Sequence, residues 1–214
     1  MEFLKALREV TRKHGIVLIF DEVISFRVGY HGAQGVLGVT PDMTTLGKII
    51  GGGFPVGAVA GSAEVMAVFD PTRGGPPAAP HGGTFNANPV TMAAGLVGMQ
   101  LLTREAFGRL DELGGKLRAS LDDCFKHAAV PGRVSGLGSL FRLHAVDREL
   151  SDYRSTRTTV AESERLVRIV RRLMEHGVLM SITGLGCVST PMGEPELEGL
   201  VETFAAVLEM ERST

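Results

Sequence analysis

Three positions combine a reactive side chain with backbone that invites a ligand. Asp21 and Glu22 close an otherwise apolar run, IVLIFDEV. A carboxylate there is costly to bury unless it is paired or hydrogen-bonded. It either caps the next turn or faces a cationic group of a ligand. Lys48, in TTLGKIIGGGFPVGAVAG, stands just ahead of Gly51, Gly52 and Gly53. Glycine suits turns and the close approach of another group to the backbone. The lysine therefore reads as a solvated loop charge, a phosphate binder or a nucleophile, whose amine attacks a carbonyl once desolvation lowers its pKa. Thr84, in GGTFNANP, follows two glycines and precedes a helical pattern. Its hydroxyl, nearby amides and a helix N-terminus all favour an anion. Taken singly, Asp21 and Lys48 are better read as a turn cap and a surface lysine, and Thr84 divides evenly between turn chemistry and anion binding. Other candidates carry less: His31 and His81 sit in glycine-rich loops, Arg27 suits a substrate carboxylate or an ion pair, and Met43, Met66, Met92 and Met99 read as core filler.

The elements that must position these residues follow from periodicity. Phe3, Leu4, Leu7 and Val10 keep helical spacing, and His14-Gly15 ends that helix. IVLIFDEV is a continuous apolar run, the mark of a strand covered on both faces in a parallel α/β sheet. DMTTLGK and PVGAVAG are two further strands. If the first two strands are parallel neighbours, Asp21 and Lys48 emerge at one sheet edge, and ligands of open α/β sheets bind outside the strands' carboxyl ends. SAEVMAVF reads as a serine-capped helix, DPTRGGPPAAPHGG as a loop, and NPVTMAAGLVGMQLL as a buried helix with Pro89 near its start. EAFGRLDELGGKLRASLDDCFKHA is a long, more polar helix, weakened at Gly114-Gly115. After Pro131 the pattern turns to antiparallel α+β: a strand pair in RVSGLGSLFRLHAV, an amphipathic helix in ESERLVRIVRRLMEHG, two short strands in VLMSITGLGCVSTPM and a closing helix.

Bulk properties narrow the function. The 214 residues are 44% hydrophobic and 21% charged, with a formal net charge of −2, which gives no case for a nucleic-acid partner. Cys124 and Cys187 are too few and too distant to suggest a disulfide framework or a zinc site, and no metal site is expected. The N-terminal stretch has no apolar signal core, and no run is long enough to cross a membrane. The expectation is a cytoplasmic protein.

Together, LIFDEVISFRVGYHGAQ, PDMTTLGKIIGGGFPVGAVAG and HGGTFNANPVTMAAG resemble the class III aminotransferases, pyridoxal 5′-phosphate enzymes of fold type I. Within that class the resemblance is strongest to the glutamate-1-semialdehyde 2,1-aminomutases. The likeness implies an α/β fold: residues 1–130 form the later part of the cofactor-binding large domain, a mostly parallel sheet with flanking helices. Residues 131–214 form a small α+β C-terminal domain. It also implies roles. Lys48 matches the lysine that joins the cofactor covalently, Asp21 the carboxylate paired with the pyridine nitrogen, and Val23 the residue packed on the ring. Thr84 matches the threonine that reaches the phosphate, usually that of the partner subunit, which implies a homodimer acting on a small amino or keto substrate. The reaction implied is amino-group transfer, either within glutamate-1-semialdehyde to give 5-aminolevulinate or between separate molecules. A fold-type I decarboxylase or lyase fits the GGTFNANP loop less well.

In the family, roughly half of the chain precedes the LIFDEV motif and carries the glycine/serine phosphate loop and the aromatic residue stacked on the ring. Neither has a counterpart in these 214 residues. The expectation is weak cofactor binding by this chain alone, and the alternative function is a non-catalytic fragment or subunit acting through protein–protein contact.

Overall fold

A computed structural model describes residues 2–76 and 78–212, so Met1, Pro77 of the proline-rich loop, Ser213 and Thr214 lie outside the described residues. The chain divides into two compact units, Met1–Phe107 and Gly108–Thr214. The sequence pattern and the family resemblance place a boundary after residue 130.

The first unit runs α1 (Glu2–Lys13), β1 (Ile19–Asp21), α2 (Gly32–Leu37), β2 (Met43–Gly47), β3 (Gly57–Gly61), α3 (Ala63–Met66) and α4 (Pro89–Leu101). β1 pairs in parallel with β2, aligning Asp21 with Thr45. β3 returns antiparallel to β2, with Gly47 opposite Gly57. The connection over 48–56 is too short for the crossover that a parallel return requires. The pairing within this stretch is therefore mixed, where the resemblance implies a mostly parallel sheet. α1 is tied to the sheet by Arg8, whose guanidinium lies 3.0 Å from Asp42 Oδ2. The Leu18 N–H donates to the same oxygen at 2.7 Å.

Two expectations about burial need correction. The IVLIFDEV run is not covered on both faces: Ile16, Val17 and Ile19 are about half exposed, and β1 is an edge strand of the described sheet. α4 begins at Pro89 as expected, yet it is not a buried helix. Only Thr91 and Gly95 are buried, while Val90, Leu96, Val97 and Leu101 are exposed. Its sequence is apolar all round, so periodicity marks no outer face.

The second unit packs α5 (Arg104–His127), α6 (Val160–Glu175) and α7 (Glu194–Arg212) with an antiparallel sheet of β4 (Arg133–Ser135), β5 (Leu140–His144) and β6 (Leu185–Cys187), in the order β4-β5-β6. Leu113, Leu117, Leu121 and Phe125 recur at helical spacing on α5 and are buried. Phe125 meets Phe204 of α7 edge to face at 5.1 Å. α5 runs unbroken through Gly114-Gly115. A side chain at Gly114 would collide with the Gly138 carbonyl, so this glycine admits the β4–β5 loop and does not interrupt the helix. VLMSITGLGCVSTPM yields one strand, β6, where the sequence suggests two. α6 opens with a reciprocal Thr159/Glu162 capping box. Arg168 and Arg172 both reach the buried Glu211 of α7.

His144 gives this unit a pH response. Its Nε2 lies 2.8 Å from Ser135 Oγ, and burial pushes its pKa below the ordinary imidazole range. The folded unit thus favours neutral imidazole, and stability present above the unfolded-state value near 6.5 is lost as pH falls through the lower folded value. The unfolding midpoint is expected to drop between pH 7 and pH 5, and His144→Gln to flatten that slope. An unchanged slope in the variant would refute the assignment.

Candidate functional site

The site is built where β1 and β2 end. Adjacent residues of a strand point to opposite faces, and the two carboxylates at the end of β1 part accordingly. Glu22 turns inward and is 1% exposed. Its carboxylate accepts from the Ala33 N–H at 2.6 Å, the Gln34 N–H at 2.9 Å and the Ser25 hydroxyl at 3.3 Å. It is a structural anchor that pins the start of α2 beneath the strand. Asp21 turns outward and is exposed. Its Oδ1 accepts from the Val23 N–H at 3.1 Å and the Thr45 hydroxyl at 3.0 Å. Among the described residues no donor is assigned to Oδ2. The Val23 N–H first, then the Thr45 hydroxyl and the positive charge of Lys48, hold this carboxyl below the usual carboxylate range against the opposing effect of burial. Asp21 is therefore an anion at neutral pH, with one oxygen left to receive a cationic donor.

Lys48 follows directly on β2 and so emerges at the same sheet edge as Asp21. Its amine takes no hydrogen bond and no salt bridge among the described residues. Its backbone sits at φ +49°, in the left-handed region that L-residues avoid. Val23 is the third member of the group: a side chain at Gly47, the residue before Lys48, would meet Val23 Cγ1 at 3.4 Å. One anion, one uncommitted amine and one small apolar side chain thus converge on the carboxyl ends of two parallel strands.

Thr84 stands apart from them. It is exposed in the turn before α4, and its side chain makes no hydrogen bond among the described residues. The helix N-terminus beside it is already occupied, because Asn88 Oδ1 accepts from the Val90 and Thr91 N–H groups. His81 lies against Phe69, and His31 Nε2 lies 3.0 Å from Arg104. Arg27 sits in the 3-10 turn Ser25–Val28. No group of three or more potential metal ligands occurs among the described residues, and none of their helices is long and apolar enough to cross a membrane.

Of the three consecutive glycines only Gly53, at φ +95°, faces open space. Gly51 abuts Val56, and Gly52, in the left-handed conformation, abuts the backbone of Ala94 in α4. One supporting residue, Thr45, escapes the sequence reading, and Glu22 is named there only together with Asp21, without a separate role. The register aligning Asp21 with Thr45 could have exposed the first, and strand alternation past Asp21 the second.

Residues 1–192 match the family described as Aminotransferase class-III. The chain belongs to this family. Class III aminotransferases depend on pyridoxal 5′-phosphate, and the Asp21, Val23 and Lys48 cluster suits it chemically: a free carboxylate oxygen for a protonated ring nitrogen and a free amine for an aldehyde. A beta-phenylalanine transaminase from Variovorax paradoxus is 40% identical over 97% of this class III chain and 47% of its own length. A glutamate-1-semialdehyde 2,1-aminomutase from Brevibacillus brevis is 41% identical over 83% of the chain and 41% of its own length. The crystal structure of an omega-transaminase from Sphaerobacter thermophilus superposes with a TM-score of 0.95 at 58% identity, covering 99% of this chain and 48% of that one. The chain thus spans about half the length of the relatives it matches.

Proposed function

We propose that this chain carries the lysine and carboxylate of a pyridoxal-phosphate-dependent transaminase that moves an amino group between a small amino donor and a separate acceptor. The observation that carries the reading is the emergence of Asp21 and Lys48 together at the ends of two parallel strands. The bound cofactor would supply an aldehyde that receives the amino group and a ring that withdraws electrons from the substrate carbon. Asp21 would hold the protonated ring nitrogen through Oδ2, since Oδ1 is committed to Val23 and Thr45. Val23 would limit the ring's approach from one face. Lys48 would join the cofactor and, once displaced by substrate, move a proton with its amine. Thr84 would serve the phosphate of a partner subunit's cofactor, which makes a homodimer part of the proposal. So are residues 1–130 as the later part of the large domain, residues 131–214 as the small one, and a cytoplasmic location.

Transfer between separate molecules is favoured over the aminomutase reaction by the 58% identity to an omega-transaminase across nearly the whole chain. The 41% identity to an aminomutase keeps intramolecular transfer as a second reading. Both are tested in a fusion of the first half of the Sphaerobacter thermophilus omega-transaminase with these 214 residues. Amino transfer from a β-amino acid to a keto acid is the expected result. Conversion of glutamate-1-semialdehyde alone would support the second reading, and neither activity would refute both.

The 214 residues by themselves are expected to bind pyridoxal 5′-phosphate weakly. Absorbance titration should show no saturation at micromolar cofactor. Saturation there, abolished by Lys48→Ala, would overturn this expectation.

A further inference from the structure

The left-handed backbone of Lys48 needs a physical cause, because among the described residues no hydrogen bond or salt bridge of the lysine's side chain enforces it. Lys48–Gly51 is a 3-10 turn closed by Gly52 at φ +58°. This turn lies on α4 with no side chain between the two backbones. A methyl on Gly52 would overlap the Ala94 carbonyl, and a methyl on Gly95 would overlap the Ile50 carbonyl. A methyl on Gly98 would sit 3.3 Å from the Gly52 Cα. Ile50 and Gly52 thus fit a glycine-lined face of α4, and the turn cannot rotate outward without losing that contact. At its other end, Gly47 is extended and covered by Val23.

We propose that the interlock of Gly52 with Gly95 and Gly98 is a positioning device that holds Lys48 in its left-handed conformation beside Asp21. It rests on the function proposed above only in what Lys48 is held for; the holding itself is a property of this fold. Gly52, Gly95 and Gly98 are positioning residues, acting on the amine through the turn.

The experiment uses these 214 residues and two readouts. The first compares Lys48→Gly with Lys48→Ala by thermal unfolding. Glycine adopts positive φ freely and alanine does not, so the glycine variant is expected to melt about 2–4 °C higher. In a Gly95→Ala background, where α4 is pushed off the turn, residue 48 relaxes. The order should then reverse, because glycine now brings only its greater unfolded-state entropy. The same order and gap in both backgrounds would overturn the proposal. Gly98→Ala, a milder intrusion, should narrow the gap and serves if Gly95→Ala does not fold. Gly108→Ala, whose methyl meets nothing within 4 Å, should leave the gap unchanged.

The second readout is reductive labelling with pyridoxal 5′-phosphate and borohydride. Amine and aldehyde condense with loss of water, and hydride from borohydride reduces the C=N bond to a secondary amine. Peptide mapping then compares Lys48 with Lys5, Lys13, Lys116 and Lys126. Preferential labelling of Lys48, reduced at least about fivefold by Gly95→Ala, supports the device. Equal preference in both proteins overturns it. Absence of preference in the unmodified chain instead counts against the proposed function, and the stability comparison then decides the interlock by itself.

Discussion

In the fusion with the first half of the Sphaerobacter thermophilus omega-transaminase, Lys48→Ala is expected to abolish covalent cofactor attachment and reduce amino transfer by at least 10²–10⁴-fold. That range is what a positioned acid–base group ordinarily contributes, and loss of the covalent attachment adds to it. The physical basis is the isolation of the amine. Lys48 makes no hydrogen bond or salt bridge among the described residues, so its removal leaves no buried partner unsatisfied. The variant should therefore fold as well as the parent: the chain loses its chemistry and not its structure. Alanine at residue 48 retains the left-handed strain, which makes this substitution the cleaner test of function. Absorbance of the bound cofactor and the rate of keto-acid amination check the two effects separately. An alanine variant that retains the parent's rate would refute the assignment of Lys48.

This separation between chemistry and support explains what the sequence could disclose. Asp21 and Lys48 are visible because each ends a short strand candidate, and parallel pairing of those strands brings the ends together. Val23 emerges only from the family resemblance, and Thr84 shows in the sequence only as an even choice between turn chemistry and anion binding; the fold places Val23 against Gly47 and leaves Thr84 unlinked to the pair. The support that Thr45 gives Asp21 and the anchoring of α2 by Glu22 are not visible. Thr45 depends on strand register, which no local pattern encodes, and Glu22 is masked by sharing its neighbour's chemistry. The glycines after Lys48 illustrate a different limit. A glycine that admits a ligand and a glycine that admits a helix look alike in sequence, and only the placement of Ala94 and Gly95 separates them. The same ambiguity affects Gly114, which marks a close approach by Gly138 inside a continuous helix. The exposure of α4 was illegible for the opposite reason. Its apolar residues cover every face, so the sequence specifies a helix without specifying which side is covered.

Asp21→Asn is expected to lower amino transfer in the fusion by about 10²–10³-fold, the usual loss when one preorganised electrostatic partner is removed. Asparagine keeps the shape and can still accept from the Val23 N–H and the Thr45 hydroxyl, so the strand ends should stay in place. What it loses is the charge. Those two donors and Lys48 hold Asp21 ionised below the usual carboxylate range, so the native rate should not depend on this group's protonation near neutral pH. It should fall only as pH drops through that lowered value. In Asp21→Asn this acid limb should disappear from the pH–rate profile while the rate stays low throughout. Glu22→Gln provides the contrast. Its carboxylate faces Ala33 and Gln34 within the fold, so this change should lower the unfolding midpoint without removing the acid limb. If the two variants give the same pair of effects, the division between an outward carboxylate for chemistry and an inward one for structure fails. The adjacent acids would then have to be treated as one unit.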